Sequence, residues 1–287
     1  MSARTWRAGA AVATTIAAVA ATGLLTSPAG AAPTWAPADT ATIHPGVQMY
    51  TEGAQCTANF VYTDGSGAVY VGYAAHCAGT GQATDTNGCQ AASLPLGTKV
   101  DFVEGGSLAG AGEVVGTGTL AYSSWLTMQD NGESNENACA YNDLALVKVD
   151  AGSLDQVNPS VPFWGGPTAL NTDESAAGES VYSFGNSSLR GGVEELSPKQ
   201  GASLGAEGGG WSHPVYTVTP GVPGDSGSAF LDSEGNALGT LSTLAVAPLA
   251  GSNGVGDLER ELGYAQQSSG IAGLELATGT EPFAPLL

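Results

Sequence analysis

After residue 31 the chain is built from short apolar or alternating runs broken by glycine, aspartate and asparagine. Residues 58–62 and 69–75 flank Thr63-Asp64-Gly65-Ser66-Gly67, the pattern of a β-hairpin. Residues 98–104, 112–122 and 143–149 predict further strands, and 180–184, 193–196, 214–219, 228–231 and 237–244 predict a second set. Asp232-Ser233-Glu234-Gly235-Asn236 is the turn joining the last two. Residues 127–137, rich in Asp, Glu and Asn, predict an exposed loop, and 152–166, with two prolines, a linker between halves. In 257–265, Leu258, Leu262 and Ala265 at i, i+4 and i+7 predict a short amphipathic helix with Asp257 as its N-cap. Residues 271–276 predict one more strand. No period is long enough for a repeat architecture, and many short strands with frequent turns point to an all-β fold.

Composition sharpens this picture at two points. The 43 glycines and a charged content of only 12% fit turns and short strands rather than long helices. The net charge of −20 disfavours nucleic acid as a partner and opposes binding to an anionic membrane surface. Residues 1–31 read as a signal peptide, with Arg4 and Arg7 at the start, an apolar stretch over 8–25 and Ala29-Gly30-Ala31 as a cleavage site. A membrane anchor fits less well, because the run is short, poor in large apolar side chains and followed by Pro28. Its removal would take the charge from −20 to −22. A secreted, extracellular and monomeric protein is expected, with residues 32–43, rich in Pro, Ala and Thr, as a loose arm. The cysteines, Cys56, Cys77, Cys89 and Cys139, suggest two disulfides with three possible pairings. Zinc is the alternative, although no Cys-x-x-Cys spacing is present.

Candidate chemistry centres on Gly224-Asp225-Ser226-Gly227, in a loop too rich in proline and glycine for helix or ladder. A serine hydroxyl needs a base to take its proton and donors for the oxyanion that its attack creates. The amides of Gly224 and Ser226 are candidates for those donors. Ala74-Ala75-His76-Cys77 ends a β-type run in a histidine, and Asn142-Asp143-Leu144-Ala145-Leu146 sets an aspartate before an apolar strand. These motifs, in the chain order His76, Asp143, Ser226, resemble those of the chymotrypsin-like (trypsin-family) serine proteases over residues 56–244.

The resemblance implies two antiparallel six-stranded β-barrels with the active site in the cleft between them, spanning 44–155 and 156–287, the second carrying the short C-terminal helix and strand. It implies a secreted endopeptidase acting on polypeptides, with no metal or cofactor. Ser226 would be the nucleophile, His76 the general base and Asp143 its orienting partner. It pairs Cys77 with Cys56, leaving Cys89 for Cys139. In many such proteases a freed N-terminus pairs with the aspartate before the serine; here the nearest sequence, Ile43-His44-Pro45-Gly46, follows no basic cleavage site. Asp225 then needs another cation. Of Lys99, Lys148, Arg190, Lys199 and Arg260, Arg190 is the first candidate, against the reading of a solvated loop charge beside Gly191 and Gly192. Pro220 stands six residues before the serine, where trypsins carry an aspartate, which disfavours a basic cleavage preference. Ser242, Thr243 and Leu244 align with the strand that pairs with substrate, and their apolar neighbours Leu241 and Ala245 favour a small or medium apolar side chain. Ser228 and Ala229 depart from the family's usual Gly-Pro. His44 and His213 read as surface or loop residues. Two competing readings are a noncatalytic binding module on the same fold and an α/β-hydrolase esterase. The esterase requires Gly-x-Ser-x-Gly and the opposite residue order.

Overall fold

The computed structural model describes residues 1–2, 33–81, 86–244 and 251–285. Residues 3–31 of the expected signal peptide, and Ala245, lie outside them, and among the described residues no helix is long and apolar enough to cross a membrane.

The first half forms β1 (Gln48–Thr51), β2 (Ala54–Thr57), β3 (Val61–Thr63), β4 (Val69–Ala74), β5 (Lys99–Glu104), β6 (Glu113–Ser123) and β7 (Leu144–Val149). The second forms β8 (Ser180–Phe184), β9 (Pro198–Ser203), β10 (Ser212–Thr217), β11 (Ala229–Leu231), β12 (Ala237–Leu244) and β13 (Asn253–Asp257), then α3 (Leu258–Ser268) and β14 (Glu275–Leu276). The second set closes into a six-stranded barrel in the order β10-β13-β12-β11-β8-β9. The first is an eight-stranded sheet in the order β14-β3-β4-β7-β6-β5-β1-β2, rather than the six expected. One of the added strands comes from the end of the chain. β14 pairs antiparallel with β3, Leu276 opposite Tyr62, so the last strand belongs to the first sheet and not to the C-terminal barrel. Leu274 is buried beside it, which explains the crossing: the tail covers apolar surface on the first sheet.

Met49, Val71, Tyr73, Val100, Phe102, Leu120 and Val147 form the core of the first sheet. Val181, Val215, Phe230, Leu238, Leu241 and Val255 fill the barrel. A third cluster joins the halves: Phe60, Tyr62, Leu144 and Leu146 meet Tyr182, Leu258 and Leu262. The helix α3 is thus packed into the junction, and the expected N-cap is real, the Asp257 side chain accepting from Arg260 N–H at 2.9 Å.

Several expectations need correction. Residues 127–137 are a loop only over 132–135. The rest fall in α1 (Ser124–Asn131) and α2 (Glu136–Tyr141), where buried Trp125, Met128, Ala138 and Cys139 override a polar sequence. Gly132 in the left-handed region ends the first, and the Asn135 side chain caps the second. The strand expected over 193–196 is a 3₁₀ turn, Glu194–Leu196. The arm before residue 44 is docked rather than loose. Ala36 N–H bonds Val157 O at 2.9 Å, and the Ile43 side chain is fully buried. His213 is not at the surface: it is buried on β10, its Nδ1 2.8 Å from Ser175 Oγ and its Nε2 2.7 Å from Asp257 Oδ2. Both ring nitrogens have polar partners, which is what permits a histidine in a barrel wall.

Two disulfides are present, Cys56–Cys77 and Cys89–Cys139, the pairing implied by the resemblance. The second closes a loop of 50 residues by tying α2 to the segment before β5. Replacing Cys89 and Cys139 together by serine is expected to lower the unfolding free energy by about 4 kcal/mol, read by denaturant titration with the other disulfide intact.

Candidate active site

β4 ends in a single 3₁₀ turn, Ala75–Ala78, which carries His76 just beyond the end of that strand. β7 runs antiparallel to β4, Leu144 opposite Ala74, so Asp143 comes up beside that turn. Asp143 O accepts Ala75 N–H at 2.7 Å. Its carboxylate takes His76 N–H on Oδ1 at 2.8 Å and lies 2.6 Å from His76 Nδ1 through Oδ2. Ser242 Oγ, from the barrel, donates to the same Oδ2 at 2.5 Å. The aspartate therefore fixes the imidazole and ties the two halves together. Burial alone pulls the His76 pKa down, but the charge of Asp143 and its hydrogen bond outweigh it, so His76 stands above the usual 6.5. Trp125 packs beside the ring, centroids 6.4 Å apart, on the helix that the polar sequence concealed.

Ser226 lies on a loop held from both sides. Thr57 N–H, at the end of β2, bonds Ser226 O at 2.8 Å, and Gly227 N–H bonds Leu241 O at 2.6 Å. Gly224 has φ of +95°, and a Cβ there would lie 2.2 Å from Gln55 Oε1, so the turn requires glycine. Its carbonyl is drawn inward by Thr57 Oγ1 at 2.7 Å and Gln55 Nε2 at 3.0 Å. Asp225 N–H is used by Val222 O, whereas the amides of Gly224 and Ser226 have no acceptor among the described residues. Ser228 N–H bonds Asp225 O at 3.0 Å and Ala229 opens β11, so the departures from Gly-Pro leave this loop braced.

A cleft of about 600 Å³ brings these residues together. His76, Asp143, Gly224, Ser226, Ser242, Thr243 and Leu244 all line it. Pro220 does not: its ring is exposed, and its carbonyl is held by Arg190 Nη2 at 3.3 Å. The pocket wall is formed instead by Gly221, Val222, Leu241 and Asn253. Asn253 braces it, accepting Gly221 N–H at 2.8 Å and donating to Thr243 O at 3.2 Å. Nothing local in Asn253-Gly254-Val255 signals this role, which depends on β13 lying beside β12.

Asp225 is completely buried and has two cations. Arg190 Nη2 is 2.5 Å and Lys199 Nζ 3.0 Å from Oδ2. Arg190 is therefore no solvated loop charge, since a buried carboxylate must be paired. Lys199, fully buried on β9, was hidden by a strand of low β-propensity. Burial lowers the Lys199 pKa, Asp225 opposing and Arg190 reinforcing the shift. Ile43 takes no part: its N–H is bonded to Gln156 O at 3.1 Å. Beside His76, the sulfurs of Cys56 and Cys77 come within metal-ligand reach, but as a disulfide they supply no thiolate.

No family model matches the chain, and no curated protein matches it. Among solved structures the chain is similar to Thermobifida fusca Protease A (18% identity, TM-score 0.49, covering 83% of this chain and 99% of that one). It is also similar to the Nocardiopsis protease (18%, 0.47, 82% and 98%) and to Cellulomonas bogoriensis chymotrypsin (17%, 0.48, 82% and 98%). At this distance the chemistry of the cleft has to be read from its own atoms.

Asp225→Ala leaves two buried cations without their anion and is expected to cost about 3–5 kcal/mol of stability. Lys199→Met and Arg190→Met should each cost less, because the other cation remains; chemical denaturation of the three variants checks the order.

Proposed function

We propose that the chain is a secreted serine endopeptidase. The observation that carries this reading is the His76–Asp143 pair, at 2.6 Å, on the wall of the cleft that Ser226 also lines. Ser226 Oγ attacks the peptide carbonyl carbon while His76 Nε2 takes its proton. The oxyanion is received by the amides of Gly224 and Ser226. Collapse breaks the C–N bond, the proton passes from His76 to the leaving amine, and an acyl-enzyme remains. Water, deprotonated by His76, then releases the acid. Asp143 keeps the Nδ1 proton directed inward and stabilises the imidazolium throughout.

The substrate is a polypeptide laid antiparallel along Ser242–Thr243–Leu244, in the manner of an added strand. Gly221, Val222 and Leu241 suit a small or medium apolar side chain before the scissile bond. Both polar ends of Asn253 are engaged, so it adds bracing rather than charge. Secretion is supported by residues 1–31 as a leader and by the two disulfides. Arg190 and Lys199 take the place of a cleaved N-terminus at Asp225, so the arm over 33–43 need not be cut away for the loop to form.

A fluorophosphonate probe is expected to label the folded wild type and not Ser226→Ala; a folded wild type that stays unlabelled would instead make the protein a binding module. Asp143→Asn should lower kcat by about 10⁴-fold. His76 must be neutral to act as base, and its pKa is raised, so the acid limb of kcat/KM should have its midpoint above 6.5. A midpoint at or below that value would contradict the His76–Asp143 coupling, and a pH series with a peptide substrate measures it.

A further inference from the structure

Behind Asp143, on the side away from the cleft, a second acid is sealed in the junction of the two halves. Glu261 of α3 is completely buried, and its Oε1 accepts the main-chain N–H of Asp143 at 2.9 Å. With Asp143 O on Ala75 N–H, that residue is clamped at both ends of its own backbone. The space for Glu261 is specifically provided: a Cβ on Gly256 of β13 would lie 2.4 Å from Glu261 Oε1. Among the described residues no lysine or arginine ion pair reaches the group.

We propose that Glu261 is a positioning residue that anchors the Asp143 main chain to α3 and thereby sets the orientation of the His76–Asp143 pair. The inference rests on the peptidase reading only for its kinetic consequence. The groups facing Glu261 are Asp143 ahead of β7, Asp257 at the end of β13, Thr240 on β12, and the phenols of Tyr62 and Tyr122 on β3 and β6. Burial raises the Glu261 pKa well above its usual 4.5, and the charges of Asp143 and Asp257 add to this. The Asp143 amide and the Thr240 hydroxyl act against it without reversing it. Burial thus favours the uncharged form of Glu261, which offers an oxygen to the Asp143 amide without setting a second negative charge beside the aspartate.

Two variants separate an acceptor from a charge. Glu261→Gln keeps an uncharged oxygen; Glu261→Leu keeps similar bulk and removes it. In the Ser226→Ala background, the His76 titration followed by imidazole NMR should fall to a lower midpoint with Glu261→Leu and hold with Glu261→Gln. With Ser226 intact, Glu261→Leu should lose about 10²-fold in kcat at little change in KM, and Glu261→Gln should recover most of it. A folded Glu261→Leu with the parental midpoint and kcat overturns the proposal, as does a Gln variant that shifts as far as the Leu variant. The NMR arm needs no turnover: if the midpoint responds as expected while the protein with Ser226 intact shows no Ser226-dependent hydrolysis, the peptidase reading fails and the positioning role stands. Should the Leu variant not fold, thermal unfolding of the Gln variant decides. A folded-state pKa above the unfolded value makes the wild type lose stability as pH rises beyond 4.5, so the advantage of Gln over Glu should widen with pH. A difference independent of pH overturns the uncharged acid.

Discussion

A carboxylate taken out of water must be met by donors, and at Asp143, only 3% exposed as a residue, meeting that demand joins the two halves of the chain. Its donors come from different parts of the sequence: the backbone and ring of His76 after β4, and the hydroxyl of Ser242 on β12. Satisfying one buried charge therefore docks the barrel against the sheet, and the cleft is the space left along that seam. The histidine is oriented by the same contacts that stabilise the junction. Site and interface are one object, which is why Leu144 and Leu146, next to Asp143, belong to the apolar cluster shared with α3.

Asp225 and Glu261 are also buried, and the fold treats each differently. Asp225 is neutralised by Arg190 and Lys199, an arrangement that holds its own loop without any contribution from Ile43. Breaking such a cluster is costly mainly because it strands the remaining charge. Glu261 has no cation among the described residues, and burial raises its pKa well above the usual 4.5, which favours the protonated form. Pairing, hydrogen bonding and protonation are the available ways to keep a carboxyl group in a low-dielectric interior, and here they stand within one junction. The outcome differs by neighbour: Asp225 lies beside β9, which brings Lys199, whereas Glu261 faces Asp143, Asp257 and two phenols.

The tail shows the same economy of contacts. Asp257 caps α3 through Arg260 N–H and also receives the ring of His213, so one carboxylate starts the helix and satisfies a buried imidazole in the barrel wall. Leu258 and Leu262 then bury the helix face, and β14 returns to the first sheet. α3 is held by the seam that it helps to close, which gives Glu261 a rigid base from which to reach Asp143.

His76, Asp143 and Ser226 were legible because the residues around each motif are local: an apolar strand before the histidine, another after the aspartate, glycines around the serine. The strand over 237–244, set off by the turn at 232–236, and the helix with its Asp257 cap were legible for the same reason, since turn and cap residues act on their own neighbours. The sequence by itself thus determined the all-β class, the order of the three candidate residues and the cap of the last helix. Only the tertiary structure decided that α1 and α2 take up most of the expected loop, that Pro220 yields the pocket wall to Asn253, that His213 is buried, and that Lys199 and Glu261 serve the two aspartates. Those outcomes depend on contacts between residues up to 118 positions apart, as for Asp143 and Glu261. The energy of a buried polar group is set by what the fold brings next to it, and that neighbour is not written in the adjoining sequence.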